Sequence, residues 1–287
     1  MKVLLATLAI NEMEFLPRLV AQHRDWSGLT RWIFVEAADE RYRAANPDMV
    51  SAAGLSVDGT TEFLEELVKS DDRVVHVKHG LTTNADPAQG KCQARNRYLE
   101  IADEIEPDLV IVLDSDEFYT AKHEWYVNET FKADAYKDYG GIIFLRREIW
   151  RPPSCAHLPL FGQEVVGGFW AIPCCHWWRW SRGMRYAGNH NNPKRADGSM
   201  IGMIRLDRGS QSGLPQMVHL GFAASAKTRL AKNRYYQQRG EGTTDHRQWY
   251  VDSRSAWRDW LPGAPLPKGA KVIGYAGPKP ECFREQP

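Results

Sequence analysis

Three acidic residues stand within four positions, at Asp114, Asp116 and Glu117. They follow Leu109–Leu113, a run of five apolar residues. Such a run predicts a strand buried on both faces, and acids at its carboxyl end lie where open α/β sheets bind ligands. Clustered carboxylates repel one another and need a nearby cation, so the pattern favours a metal site over a plain acidic turn.

Strands and helices alternate around this stretch. The apolar patterns predict strands at Val3–Ile10, Arg31–Glu36, Val74–Val77, Leu109–Leu113 and Gly141–Leu145, and either a short strand or a loop at Met217–Phe222. They predict helices at Phe15–Trp26, Thr60–Lys69, Ala94–Ile105 and Lys227–Arg239. Residues 37–59 and 80–90 are predicted to be irregular. The alternation predicts a doubly wound α/β fold, while the fingerprints of dinucleotide-binding and P-loop proteins are absent.

Charge is distributed unevenly, although the net charge is only +1. Residues 1–144 carry 15 basic and 26 acidic side chains. Residues 145–260 carry 18 basic and 8 acidic ones, with eight of the 11 tryptophans. An acidic half followed by a basic, aromatic half predicts that the second half meets an anionic or planar partner.

Length and cysteine content bound the class of protein. A chain of 287 residues is expected to form either one large α/β domain or one domain with an extended C-terminal part. Its Pro/Gly-rich end, 262–287, is expected to be coil. No apolar run approaches the ~20 residues of a membrane helix. Five cysteines without a CxxC pair predict a reduced, cytoplasmic chain.

Several short motifs occur in a characteristic order. They are Asn11-Glu12 at a strand end, an Asp58-Gly59-Thr60 turn, Gln93-Ala94-Arg95-Asn96 opening a helix, Asp114-Ser115-Asp116-Glu117, and His219-Leu220-Gly221-Phe222 before a Lys/Arg/Tyr helix. In this order the chain resembles the GT-A glycosyltransferases, particularly the small members related to family 2. The resemblance implies a GT-A (Rossmann-like) mixed sheet flanked by helices, with an irregular Trp/Arg-rich C-terminal part. It implies a nucleotide-sugar-binding half at 1–145, an acceptor-binding half at 146–260 and a tail at 261–287.

The resemblance also implies an activity, that of a hexosyltransferase. A sugar would move from a UDP-sugar, or another nucleotide sugar, to a hydroxyl acceptor with the help of Mn²⁺ or Mg²⁺, which stabilises the departing diphosphate as a Lewis acid. The implied metal ligands are Asp114, Asp116 and His219. The implied donor contacts are Asn11, Asp58, Lys91, Arg95 and Asp114. His219 as a core histidine and Asp58 as a simple Asx turn are the alternatives to these roles.

The identity of a catalytic base stays open. Direct displacement with inversion needs a carboxylate to take the acceptor proton. Related enzymes often carry a His-Glu pair, but here His190 is followed by Asn191. The base is Glu148, Glu164 or Glu117, or it is His190 itself, or the reaction retains configuration and needs no strong base.

Two kinds of acceptor fit the basic, Trp-rich half, whose densest aromatic segment is His176–Trp180. A hydroxymethylated base in DNA is favoured, as in phage-type DNA-modifying glycosyltransferases, because cations bind phosphates and aromatic faces stack on bases. Such an enzyme would work in the host cytoplasm. A saccharide or glycan acceptor is the alternative. A metal-dependent phosphoesterase or nuclease and a non-catalytic binding module also remain open.

Overall fold

The computed structural model describes residues 1–83, 87–119, 138–143, 146–150, 163–167, 175–188, 192–205, 217–222, 224–238, 270–274 and 281–283. Within them the chain forms five α-helices: α1 (Leu16–His23), α2 (Glu40–Ala45), α3 (Thr60–Ser70), α4 (Pro87–Ile105) and α5 (Ala226–Gln238). The described strands are β1 (Val3–Ala9), β2 (Leu29–Asp39), β3 (Val74–Thr82), β4 (Leu109–Val112), β5 (Glu117–Tyr119), β6 (Gly141–Ile143), β7 (Arg146–Trp150), β8 (Gln163–Gly167), β9 (Cys175–Arg179), β10 (Met203–Arg205), β11 (Met217–Phe222) and β12 (Ala270–Gly274).

A seven-stranded mixed sheet organises the molecule, in the order β10-β6-β9-β4-β1-β2-β3. Strands β4, β1, β2 and β3 run parallel, whereas β9 runs antiparallel to both β4 and β6. Strands from both halves of the sequence therefore share one sheet. The predicted fold class is confirmed: α/β, with a mixed sheet flanked by helices.

The predicted central strand, β4, is buried on both of its faces. Its side chains alternate between two cores, as the two-residue period of a strand requires. Leu109 and Ile111 pack in the core that contains α1 and α3, whereas Val110 and Val112 pack against α4. All four are 0% exposed, and burying each one stabilises the fold by roughly 1.5–3 kcal/mol.

A second, five-stranded sheet has the order β12-β8-β7-β11-β5. The chain leaves β4 in the first sheet, passes through residues 113–116 and enters β5 in the second. A backbone hydrogen bond from Glu117 N to Asp114 O (3.0 Å) closes the turn between them. Because β5 pairs antiparallel with β11, the acidic turn lies at the junction of the two sheets, next to His219.

The aromatic segment His176–Trp180 does not provide the stacking surface that its composition predicts. Trp177 and Trp178 are both 0% exposed. They alternate on β9, so Trp177 enters one core, donating its Nε1–H to Tyr119 (2.7 Å), and Trp178 enters the other. For these two residues the prediction was wrong, because the alternation of a buried strand takes up both indoles.

Three predictions about irregular segments were also wrong. Strand β2 continues to Asp39 and leads directly into α2, followed by a 3₁₀ turn at Pro47–Met49. Helix α4 begins earlier than expected, at Pro87. The C-terminal segment contains β12, which pairs with β8, and a 3₁₀ turn at Glu281–Phe283.

None of the helices in the part of the chain that the structure describes has both the length and the apolar character needed to cross a bilayer.

Candidate functional site

A pocket of about 220 Å³ opens at the carboxyl ends of β1, β2 and β4, with α4 and α5 also contributing to its wall. Its lining residues are Leu8, Ile10, Glu12, Ala37, Ala38, Asp39, Tyr42, Thr82, Gly90, Lys91, Ala94, Arg95, Asp114, Ser115, Asp116, His219, Lys232 and Tyr235. Four of these are acids and three are Lys or Arg. Such a nearly balanced charge set suits an anionic ligand accompanied by a cation.

Asp114 faces the pocket from the end of β4 and is held by Arg95 on α4. The Arg95 Nη2 atom lies 3.1 Å from Asp114 Oδ1, and the Arg95 side chain is only 4% exposed. Burial alone would raise the pKa of Asp114, but Arg95, His176 and Lys91 together outweigh burial and lower it. The backbone is fixed as well, because Asp114 N–H donates to the buried carboxylate of Glu117 (3.2 Å). Asp114 is thus an ionised and firmly oriented carboxylate.

Asp116 is more deeply buried and meets an ammonium group and an imidazole at the same oxygen. The Lys232 Nζ atom lies 3.0 Å from Asp116 Oδ2, and the His219 Nε2 atom lies 3.5 Å from it. Burial would raise the pKa of Asp116, but Lys232 and His219 outweigh burial and hold it well below its ordinary value. A hydrogen bond from Leu220 N to Asp116 O (2.8 Å) fastens the turn to β11.

Gly221 leaves the space in which the His219 ring approaches Asp116. A Cβ atom at position 221 would lie 2.6 Å from His219 Cε1 and 3.1 Å from Asp116 Oδ2. Both distances are shorter than comfortable van der Waals contact. The motif His219-Leu220-Gly221 therefore has a steric reason for its glycine.

Glu12 is a pocket acid to which the sequence assigned no role. Burial raises the pKa of Glu12 to about 8; the Lys232 ammonium opposes that rise, and the Asp116 carboxylate adds to it. Its side chain also hydrogen-bonds with Ser115. Glu12 therefore holds a proton at neutral pH, which reduces the repulsion among the acids.

Asp39 is the second acid that the sequence missed. Its Oδ1 atom accepts a hydrogen bond from Arg41 N (2.8 Å) and so caps α2. Asp39 lines the pocket, and its Oδ2 atom is buried and has no hydrogen-bond partner among the described residues. A Cβ at Gly90 would lie 2.5 Å from this oxygen. A buried, unpaired carboxylate oxygen is costly, so it calls for a ligand that donates a hydrogen bond.

Helix α5 is fixed against α2 across the pocket. The Asn46 Nδ2 group donates to Ala231 O (2.9 Å), and the rings of Tyr42 and Tyr235 meet edge to face at 5.6 Å. These contacts flank Lys232 and fix the backbone that carries it.

Comparisons with known proteins identify no family for the chain. No protein-family model and no curated protein matches it. Among solved structures, a mycobacterial protein is similar with a TM-score of 0.39 and 14% identity, over 85% of this chain and 76% of the other. S. aureus TarS has a TM-score of 0.34 and 11% identity, over 90% of this chain and 48% of the other.

A further similar structure is mannose-1-phosphate geranyltransferase from Thermus thermophilus, with a TM-score of 0.26 and 10% identity, over 87% of this chain and 67% of the other. TM-scores this low carry no argument about function, which has to come from the pocket itself.

The pocket contains many, but not all, of the residues expected from the sequence. Lys91, Arg95, Asp114, Asp116 and His219 all line it. The other two expected donor contacts lie outside that lining and make local hydrogen bonds.

Asn11 and Asp58 organise the backbone beside the pocket. Asn11 accepts from Val57 N (3.0 Å), and Asp58 accepts from both Thr60 N (3.1 Å) and Met13 N (3.1 Å). Gly59 occupies the N-cap of α3, with φ of +97°, and Thr60 is the first helical residue.

The candidate bases are only partly within the described residues. His190 lies outside them. Glu148 lies in β7 as the register partner of His219, and Glu164 lies in β8 opposite Ile149. Glu117 is buried under the acidic turn, where it accepts from Asp114 N–H and lies 3.6 Å from His176 Nε2.

The side chains fit a divalent cation in part. Asp116 supplies a carboxylate and His219 an imidazole, which Mn²⁺ accepts together, and these two groups adjoin. Asp114 is paired with Arg95 instead. In the described ranges, no three His, Cys, Asp or Glu side chains are already arranged around one metal position. Two of the three ligands expected from the sequence are therefore side by side.

Proposed function

We propose that the chain is a nucleotide-sugar-dependent glycosyltransferase that uses a divalent cation and takes a UDP-sugar as its donor. One observation carries the proposal. Asp114 and Asp116 follow the carboxyl end of β4, where Arg95 and Lys232 pair with them. Asp39, whose Oδ2 atom has no described partner, lines the same pocket. A ligand with a hydrogen-bond donor at one end and a diphosphate at the other matches this arrangement.

The donor's two ends meet different groups in this proposal. Asp39 accepts a hydrogen bond from the nucleoside, from either a base N–H or a ribose hydroxyl. Lys91 and Lys232 neutralise the diphosphate, while Arg95 keeps Asp114 ionised and oriented. Asp116 and His219 hold the cation. A bound Mn²⁺ or Mg²⁺ supplies Lewis-acid stabilisation of the leaving diphosphate.

Glu148 is the base that this proposal favours. It is the register partner of His219 across the β7–β11 pair, whereas Glu164 partners Ile149, one position farther along β7. Glu148 thus occupies the register position beside a proposed cation ligand, and Glu164 does not. Glu148→Gln is therefore expected to lower transfer at least a hundredfold, and Glu164→Gln to leave it within about threefold. Equal losses in the two variants would remove this assignment.

In this proposal the acceptor is a hydroxyl compound, and one experiment distinguishes a DNA acceptor from a saccharide acceptor. The DNA acceptor loses part of its support because Trp177 and Trp178 are buried. Transfer to hydroxymethylated duplex or single-stranded DNA is to be measured beside transfer to an oligosaccharide panel, using the same labelled donor. Label found only in oligosaccharide ends the DNA proposal, and label in DNA supports it.

Release of UDP from a panel of UDP-sugars with Mn²⁺ tests the proposed reaction. The wild-type chain is expected to release UDP, and Asp116→Asn is expected to reduce the rate at least a hundredfold. Asp72→Asn, at an exposed acid outside the pocket, is the matched control. Phosphodiester cleavage without any sugar would indicate a nuclease instead, and UDP-sugar binding without release would indicate a binding module.

A further inference from the structure

We infer that the Lys232 ammonium group pairs with Asp116 Oδ2, the oxygen that would bind the divalent cation, until a diphosphate draws the ammonium group away. The cation therefore binds well only together with the donor. This inference rests on the proposed function and adds an order of events to it. It concerns a residue on α5 that the sequence motifs did not single out.

The geometry makes Lys232 a direct competitor for the cation. Its Nζ atom lies 3.0 Å from Asp116 Oδ2, the same oxygen that His219 Nε2 approaches at 3.5 Å. A divalent cation held by Asp116 and His219 would lie within a few ångströms of a positive ammonium group. Like charges at that separation in a partly buried site repel strongly, because little water screens them.

The Lys232 side chain also has room to move within the pocket. Its side chain is 30% exposed, in contrast to Asp116 at 7%. Its stem is long and flexible, whereas the backbone that carries it is held by the contact between Asn46 and Ala231 O. The ammonium group can therefore move within the pocket while α5 stays in place.

Charge balance provides the reason for the exchange. In the described pocket, Arg95 neutralises Asp114 and Lys232 neutralises Asp116. A diphosphate brings at least two negative charges, which attract Lys232 more strongly than one carboxylate does. Once Lys232 moves to the phosphates, Asp116 Oδ2 and His219 are left to a cation, whose own positive charge is balanced by the diphosphate.

Mn²⁺ binding measured by electron paramagnetic resonance tests the inference on the full chain, with and without UDP. Wild type is expected to bind Mn²⁺ weakly alone and at least tenfold more tightly with UDP. Lys232→Met, which keeps the length of the stem, is expected to bind Mn²⁺ at least tenfold more tightly than wild type without UDP. Lys232→Arg, which keeps the charge, is expected to behave like wild type in that condition.

Two controls accompany these variants. Lys227→Met removes an exposed lysine from the same helix and is expected to leave Mn²⁺ affinity unchanged. Asp116→Asn is expected to abolish binding in both conditions. Circular dichroism and thermal unfolding establish that each variant is folded.

An unchanged or weakened Mn²⁺ affinity in Lys232→Met overturns the inference, and so does a wild-type affinity that UDP leaves unaltered. UDP release from UDP-sugars is measured on the same preparations. Turnover in wild type with no effect of Lys232→Met on Mn²⁺ affinity refutes the role of Lys232 and leaves the transferase standing. Tighter Mn²⁺ binding in Lys232→Met without any turnover in wild type supports the competition and refutes the transferase.

Discussion

Asp39 and Asp58 are the two aspartates considered for contact with the donor nucleoside, one from the structure and one from the sequence. The sequence resemblance implies a donor contact at Asp58, which accepts two backbone hydrogen bonds beside α3. Asp39 has the pocket position and a buried Oδ2 without a described partner. The sequence carried a signal for it, since Asp39 ends an apolar strand at the same sheet edge as Asp114, but the strand was predicted to stop at Glu36.

Exchanging one oxygen of Asp39 tests this reassignment. Asp39→Asn keeps an oxygen for the Arg41 N–H, so α2 retains its cap, but replaces the unpaired acceptor Oδ2 with an NH₂ donor. UDP affinity measured by calorimetry is expected to fall at least fivefold, because one hydrogen bond to a charged acceptor is lost. Asp58→Asn is expected to leave UDP affinity within about twofold. The reverse order would restore Asp58 as the nucleoside contact.

Gly221 makes a second prediction at this scale. In Gly221→Ala the new methyl group would meet the His219 ring at 2.6 Å, so the ring must move away from Asp116. We expect at least a tenfold loss in UDP release with Mn²⁺. Gly202→Ala is the control, because a Cβ there has nothing within 4 Å. Full activity in Gly221→Ala would mean that His219 is not needed at Asp116.

Among the elements, the connection between β2 and α3 depends on Glu36, whose carboxylate is 0% exposed. It accepts hydrogen bonds from Ser56 N (2.7 Å) and Thr61 Oγ1 (2.6 Å), and His76 Nε2 lies 2.9 Å away. Burial would raise the pKa of Glu36, but these hydrogen bonds outweigh burial and lower it to about 2. One carboxylate thus ties the connecting loop and α3 to the first sheet.

The stability contributed by Glu36 is therefore expected to depend on pH. Because its pKa is lower in the folded chain than the ordinary 4.5, the contribution is present above pH 4.5 and is lost as pH falls toward 2. The lost contribution is about 3 kcal/mol. Urea unfolding at several pH values should show Glu36→Gln less stable than wild type at pH 6, with a difference that shrinks in acid. A difference independent of pH would contradict this role.

Over the whole molecule, the described turn at Glu281–Phe283 packs against β5 and α1. Phe283 meets Phe118 of β5 edge to face at 4.8 Å, and Arg18 of α1 lies over the Phe283 ring at 4.9 Å. Cys282 Sγ donates to Gln22 Oε1 at 3.2 Å. The C-terminal turn therefore supports β5, the strand that follows the acidic turn.

Removing the Phe283 ring should weaken the whole fold. Phe283→Ala is expected to lower the free energy of unfolding by about 2 kcal/mol, less than for a fully buried ring because Phe283 is partly exposed. Met200→Ala, which truncates a described apolar side chain that is 53% exposed, is the control and should cost less than about 0.5 kcal/mol. A Phe283→Ala chain as stable as wild type would show that the end of the chain contributes nothing.

Local sequence patterns predicted much of this molecule. The rest depends on contacts between residues far apart in the sequence, which those patterns do not reveal. The apolar run at Leu109–Leu113 predicted the central strand. The motifs at Asp116 and His219 predicted two side chains that lie next to each other. Lys232 was beyond prediction because it is one of several basic residues on α5, and only packing against α2 selects the one that reaches Asp116. The burial of Trp178 was not predicted, because composition does not distinguish a buried indole from an exposed one.

The crystal structure of the chain with UDP and Mn²⁺, with the metal located by anomalous scattering, tests the central claim most directly. We predict Mn²⁺ on Asp116 and His219, the diphosphate beside it with the Lys232 ammonium moved onto a phosphate oxygen, and the nucleoside in contact with Asp39. UDP bound away from this pocket, or Mn²⁺ absent from Asp116 while Lys232 remains on it, would contradict the account.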